Sequence, residues 1–186
     1  MTSSFTTGSC IFNQPKYMKI NEPEGIIKLL GLKLLDIEGG YFRETYRSEE
    51  ILSKDVLPPR YQSGRCIGTA IYYLLTPDNF SAVHKVASDE IFHFYLGDPV
   101  QMLLLYPDGT GREVTLGQDI QNGQELQLVV PRGVWQGASL KQDGRYALLG
   151  TTVSPGFEYQ DFIPGQRESL LSGYPKYASR ILELTR

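Results

Sequence analysis

The sequence predicts an all-β fold, a two-sheet jelly roll or closed barrel, with one short helix ahead of it. Two observations carry that expectation. Eight short segments are rich in β-branched and aromatic residues: TAIYYLLT (69–76), SAVHKV (81–86), EIFHFYL (90–96), VQMLLLY (100–106), REVTL (112–116), LQLVVP (126–131), GVWQGA (133–138) and YALLGTTV (146–153). Such side chains suit a pleated, half-buried surface. Between several of them lie PDG, NG, PRG and DG turn signals, the punctuation of antiparallel hairpins. Many short strands at even spacing, with no long helical periodicity among them, resolve into a sandwich or a barrel.

The helix comes first. Asn21 is its candidate cap and Pro23 its first-turn residue, while Ile26, Ile27, Leu29 and Leu30 supply an apolar side and Gly31 a stop. Residues 1–20 read as a polar N-terminal arm and 21–186 as one domain, because no internal repeat or low-complexity segment divides them. In the early strand EGGYFRETYRS (38–48), alternation places Tyr41, Arg43, Thr45 and Arg47 on one face. Phe42, Glu44 and Tyr46 take the other. The same parity puts Glu90, Phe92 and Phe94 on one side of the EIFHFYL strand and Ile91, His93 and Tyr95 on the opposite side. A second helical stretch near 175–184 carries Tyr177, Ile181 and Leu184 at helical spacing.

Composition narrows the function. A formal net charge of −3 over 186 residues, with no run of Lys or Arg, argues against a nucleic-acid partner. No segment approaches the roughly 20 apolar residues of a membrane span, and the N-terminus lacks the pattern of a signal peptide. Cys10 and Cys66 show no metal-binding spacing. Two lone cysteines fit a reducing compartment, so a cytoplasmic location is expected.

The stretch HKVASDEIFHFYLG (84–97) holds both histidines of the chain, and Glu90 is followed by six residues and then Gly97, with His84 six residues before it. This resembles the first motif of the cupin superfamily, in which histidines, a glutamate and a turn glycine sit on adjoining strands. PRGVWQ (131–136) is similar to the second cupin motif: Pro131 and Gly133 match, but Gln136 stands where the family places a metal-binding histidine. Val86 likewise occupies a histidine position of the first motif. EGGYFRETYRS, TAIYYLL, HKVASDEIFHFYLGDP, VPRGVWQGA and PGFEYQDF, in that order across residues 24 to 165, resemble a subfamily of small cupins with no settled activity. A looser likeness joins Phe42-Arg43-Glu44 to the cupin-type epimerases of nucleotide-linked deoxysugars.

The resemblance implies a jelly-roll cupin with a barrel pocket built on His84, Glu90 and Gln136, lined by Phe92 and Phe94. It also implies a homodimer in which Phe42 and Glu44 reach a neighbouring subunit's pocket to bind a small-molecule ligand. Arg43 and Arg47 could grip a carboxylate or phosphate in fork geometry. Three readings stay open. An isomerase or epimerase would use His84 as base, since an imidazole with an unperturbed pKa of about 6.5 suits proton abstraction near neutrality. A metal-dependent oxygenase or lyase would hold a divalent ion on His84, Glu90 and Gln136, a weak set because an amide oxygen adds little donor strength. A binding module would turn nothing over. By parity His93 belongs outside the pocket; Trp135 reads as core and Asp161 as strand-end chemistry.

Overall fold

The computed structural model describes residues 22–186. Helix α1 (Pro23–Leu30) is followed by β1 (Lys33–Leu34), β2 (Tyr41–Arg47), β3 (Ile51–Leu52), β4 (Arg65–Cys66), β5 (Thr69–Leu75), β6 (Ser81–Lys85) and β7 (Asp89–Gly97). Then come β8 (Val100–Leu105), β9 (Gly111–Leu116), β10 (Gln127–Val130), β11 (Trp135–Leu140), β12 (Ala147–Ser154) and β13 (Ile163–Pro164). Helices α2 (Arg167–Gly173) and α3 (Ala178–Glu183) complete the order.

The strands form an antiparallel sheet in the order β1-β2-β5-β12-β7-β10, facing a second in the order β13-β6-β11-β8-β9. β3 and β4 make a separate small ribbon. The two large sheets enclose a core of Tyr73, Phe92, Phe94, Met102, Leu104 and Leu149, with further aliphatic neighbours. Several strand segments read as continuous apolar runs instead of alternating ones because both of their faces are covered. On β8, Met102 and Leu104 enter the core between the sheets, whereas Leu103 and Leu105 pack outward against Leu170, Ile181 and Leu184 of the C-terminal helices and their flank. On the other sheet, Leu74 and Leu148 face outward against Ile26 of α1. The fold is a jelly roll with helices laid on both outer faces.

Local signals hold where they are backbone-driven. Gly31 ends α1 in the left-handed conformation at φ 61°, as the expected stop requires. Asn21, the expected cap, lies outside the described residues, as does the 1–20 arm; the cap position is Glu22, which makes no side-chain capping bond. Gly97 sits at φ 106°, and a Cβ there would collide with the Tyr146 carbonyl, so the glycine of the first motif is a steric necessity.

Two features depart from expectation. Helix α2, with only Leu170 fully buried, is too short to show a helical period. In β2, the pairing with β5 shifts register between Glu44 and Tyr46. This bulge breaks strict alternation and corrects the parity assigned to Arg47, which joins Phe42 and Glu44 on the inner side.

Candidate functional site

One end of the space between the sheets stays open as a cavity of about 80 Å³, room for several waters or one small molecule. β2 contributes Phe42, Glu44 and Arg47; β6 and β7 contribute His84 and Glu90. Glu38, from the turn before β2, also reaches it. A strap over residues 157–162 closes the remaining side with Phe157, Tyr159 and Phe162.

His84 and Gln136 are direct cross-strand partners on β6 and β11, which sets their side chains together on the inner face. The Nδ1 of His84 lies 2.8 Å from the Ala82 carbonyl. A carbonyl only accepts, so Nδ1 carries the proton and Nε2 presents its lone pair. Gln136 Nε2 stands 3.2 Å from that lone pair and donates across to Glu90 Oε2 at 2.6 Å, linking the two sheets. The imidazole stacks on Phe162 at 4.8 Å. Glu38 Oε2 sits 3.9 Å from His84 Nε2, and Ser81 donates to Glu38 Oε1 at 2.5 Å.

Burial pushes Glu90 above its ordinary carboxylic pKa; the neighbouring His84 draws it back, and the negative Glu38 pushes it up again. Tyr73, wholly buried beside Glu38, is raised well above the phenol value, first by burial and then by that carboxylate. At the mouth, Arg47 is held firmly protonated, chiefly by its hydrogen bond to Glu44.

The structure brings His84, Glu90 and Gln136 together, but Gln136 lies behind the cavity wall and does not line it. Phe92 and Phe94 face inward as parity requires, yet they pack in the core and do not line the cavity. Its aromatic walls come from β2 and the strap instead, because the β7 phenylalanines sit deeper between the sheets than Glu90. Phe42 and Glu44 line the cavity of their own chain. Arg43 is on the outer face, its guanidinium 5.5 Å over the Tyr72 ring. His93 is also outside, 3.2 Å from Thr152 Oγ1 and 3.1 Å from the Gln127 amide. Trp135 packs on the outer helical layer, with Lys85 4.4 Å over its ring.

Sequence reasoning missed Glu38 and the three strap aromatics. Glu38 opens the EGGYFRETYRS segment, but no strand parity reaches a turn residue. Asp161 was visible only as strand-end chemistry; it binds the fully buried Arg65 through two hydrogen bonds of 2.8 and 2.6 Å.

A metal does not fit this arrangement. Gln136 turns its N–H group toward the lone pairs of both His84 and Glu90, where a cation would need free donors. The amide oxygen is buried without a partner. Among the described residues, no group of three or more His, Cys, Asp or Glu side chains is placed to hold an ion.

The family description "Cupin superfamily (DUF985)", a domain of unknown function, matches residues 24–163. The chain is a cupin. It is similar to an uncharacterised protein, YML079W, of Saccharomyces cerevisiae, 35% identical over 142 aligned residues, with 70% of each chain covered. Among solved structures it resembles protein SO0799 of Shewanella oneidensis, with a TM-score of 0.78 and 32% identity over 90% of this cupin and 99% of that chain. A hypothetical protein from Leishmania major aligns with a TM-score of 0.79 and 32% identity, over 89% of this chain and 99% of its own. No helix among the described residues is long and apolar enough to cross a membrane.

Proposed function

We propose that this cupin binds a small polar organic molecule in the cavity and acts on it as an isomerase or epimerase, moving a proton at a carbon beside a carbonyl. The observation that carries this reading is the orientation of His84. Its Nδ1 is tied to a backbone carbonyl, so Nε2 is the basic atom on a cavity wall. Nε2 takes a proton by giving up its long 3.2 Å contact with Gln136, whose shorter bond to Glu90 remains. In the proposed step Nε2 takes the proton and the electron pair moves onto the carbonyl oxygen. As that pair returns, a proton passes from the imidazolium to the adjacent carbon, giving an isomer. Alternatively a proton arrives from solvent on the opposite face of the same carbon, giving an epimer while the imidazolium releases its proton to solvent. Glu38, 3.9 Å away, stabilises the imidazolium formed on the way. A ligand of carbohydrate type suits the mixture of carboxylates and aromatic walls, and the cavity size favours a single small unit over a nucleotide-linked one.

The test is solvent-deuterium incorporation, followed by proton NMR, across a panel of small hydroxy- and amino-carbonyl compounds. Wild-type protein should exchange a carbon-bound proton in at least one of them, and His84→Asn should lose that exchange. Failure of the wild type across the panel leaves a binding module and removes the catalytic reading. A homodimer is proposed as well: β1 is a sheet edge, and Leu34 and Tyr46 are exposed on β1 and β2. Light scattering that finds a monomer at micromolar concentration would remove that part.

A further inference from the structure

The cavity is unbalanced in charge. Three carboxylates line it, Glu38, Glu44 and Glu90, against the single guanidinium of Arg47. That guanidinium is already committed. Its Nε and one Nη2 hydrogen go to the two oxygens of Glu44 at 3.1 and 2.9 Å, and the other Nη2 hydrogen goes to the Phe157 carbonyl at 3.1 Å. Its Nη1 donates to Glu158 Oε1 at 2.7 Å and to Cys66 Sγ at 3.6 Å. An arginine has five N–H donors, and all five are taken, so an anion would have to displace a partner Arg47 already holds, against the negative charge of the carboxylates around it.

We propose that the ligand of this pocket is a small organic cation, an amine or quaternary ammonium compound. The inference rests on the reading of this cavity as the ligand site and adds the charge of what enters it. Aromatic rings and carboxylates together form the chemical environment that selects such a group. Phe42, Phe157, Tyr159 and Phe162 supply the rings, and Glu38 and Glu90 supply negative charge at the inner end. The Glu90 carboxyl is raised chiefly by burial; His84 lowers it, and Glu38 raises it by less, through like-charge repulsion. A cation relieves this repulsion; a phosphate or carboxylate adds to it, which excludes anions by design of the site. For a proton-transfer reaction the charge is also useful, because a positive nitrogen next to a C–H bond makes that proton more acidic.

The test uses the wild-type protein and isothermal titration at low salt. The probes are tetramethylammonium, choline, the neutral choline isostere 3,3-dimethylbutan-1-ol, and inorganic phosphate. Choline should bind about tenfold or more tighter than its neutral isostere, and phosphate should not bind. Glu38→Gln should remove most of that preference while leaving the neutral alcohol unaffected. Equal binding of choline and the alcohol, phosphate binding, or no saturable binding of either cation would overturn the proposal. The outcomes separate from those of the functional reading. Deuterium exchange with neutral compounds alone sinks the cation and keeps the isomerase; cation binding without exchange in any compound does the reverse.

Discussion

Two arginines fasten the same strap to the barrel, and they do so in different solvents. Arg65 is wholly removed from water, and its partner Asp161 nearly so, at 0% and 6% side-chain exposure. Its remaining Nη1 bonds go to Ser63 and Gly64, and Tyr61 lies 5.1 Å beneath the guanidinium. Arg47 is 38% exposed, and Glu44 and Glu158 are both 41% exposed. The chemistry is the same, guanidinium on carboxylate, but the consequences differ. In the dry pair, desolvation has consumed much of the attraction, so its net contribution over apolar packing is small while the loss of one partner is severe. In the wet pair, water and salt replace either partner at little cost. Arg65 therefore decides whether the strap is in place, and Arg47 decides what charge and shape the mouth presents.

The largest effect expected from breaking this contrast is at the dry anchor. Arg65→Ala leaves Asp161 buried without its cation and should cost about 3–5 kcal/mol in urea denaturation. Arg65→Met combined with Asp161→Leu should recover most of that loss, because neither charge is then stranded. A double variant as unstable as the single one would mean that the pair contributes net stability and that the contrast with Arg47 is wrong.

A smaller, pH-dependent effect belongs to Glu90, a buried acid with no arginine. Its folded pKa is raised by burial above the unfolded value. The stability linked to its protonated form is therefore fully present below the unfolded pKa and is lost as pH rises through the folded one. Glu90→Gln carries no such titration. The melting temperature of wild type relative to this variant should fall as pH rises across that window, and a difference independent of pH would contradict the assignment.

The smallest stability effect is at the wet anchor. Arg47→Ala should cost no more than about 1 kcal/mol in the same urea experiment. It should nevertheless free Glu44 and Glu158 and so increase the affinity for choline at low salt, with the gain fading as salt rises. A loss of several kcal/mol would place Arg47 with Arg65 and erase the distinction between the anchors.

How much of this was legible beforehand follows the range of the interactions involved. The strand segments, the Gly31 stop, the Gly97 turn and the inward parity of Glu90 and Phe92 depend on neighbours in the chain or on a period of two, and those are written along the sequence. The family motifs added that His84, Glu90 and Gln136 meet. The tertiary structure alone decided the rest. The β2 bulge that turns Arg47 inward arises from pairing with β5. Strap aromatics line the cavity because Arg65, 96 residues away in the chain, holds Asp161. Phe92 and Phe94 became core because the sheets close tightly at their depth and open only near Glu90. The orientation of the Gln136 amide, which separates a metal site from a hydrogen-bonded pair, depends on two partners on two other strands. Local periodicity records which way a side chain points; only the packing of distant segments determines what it meets there.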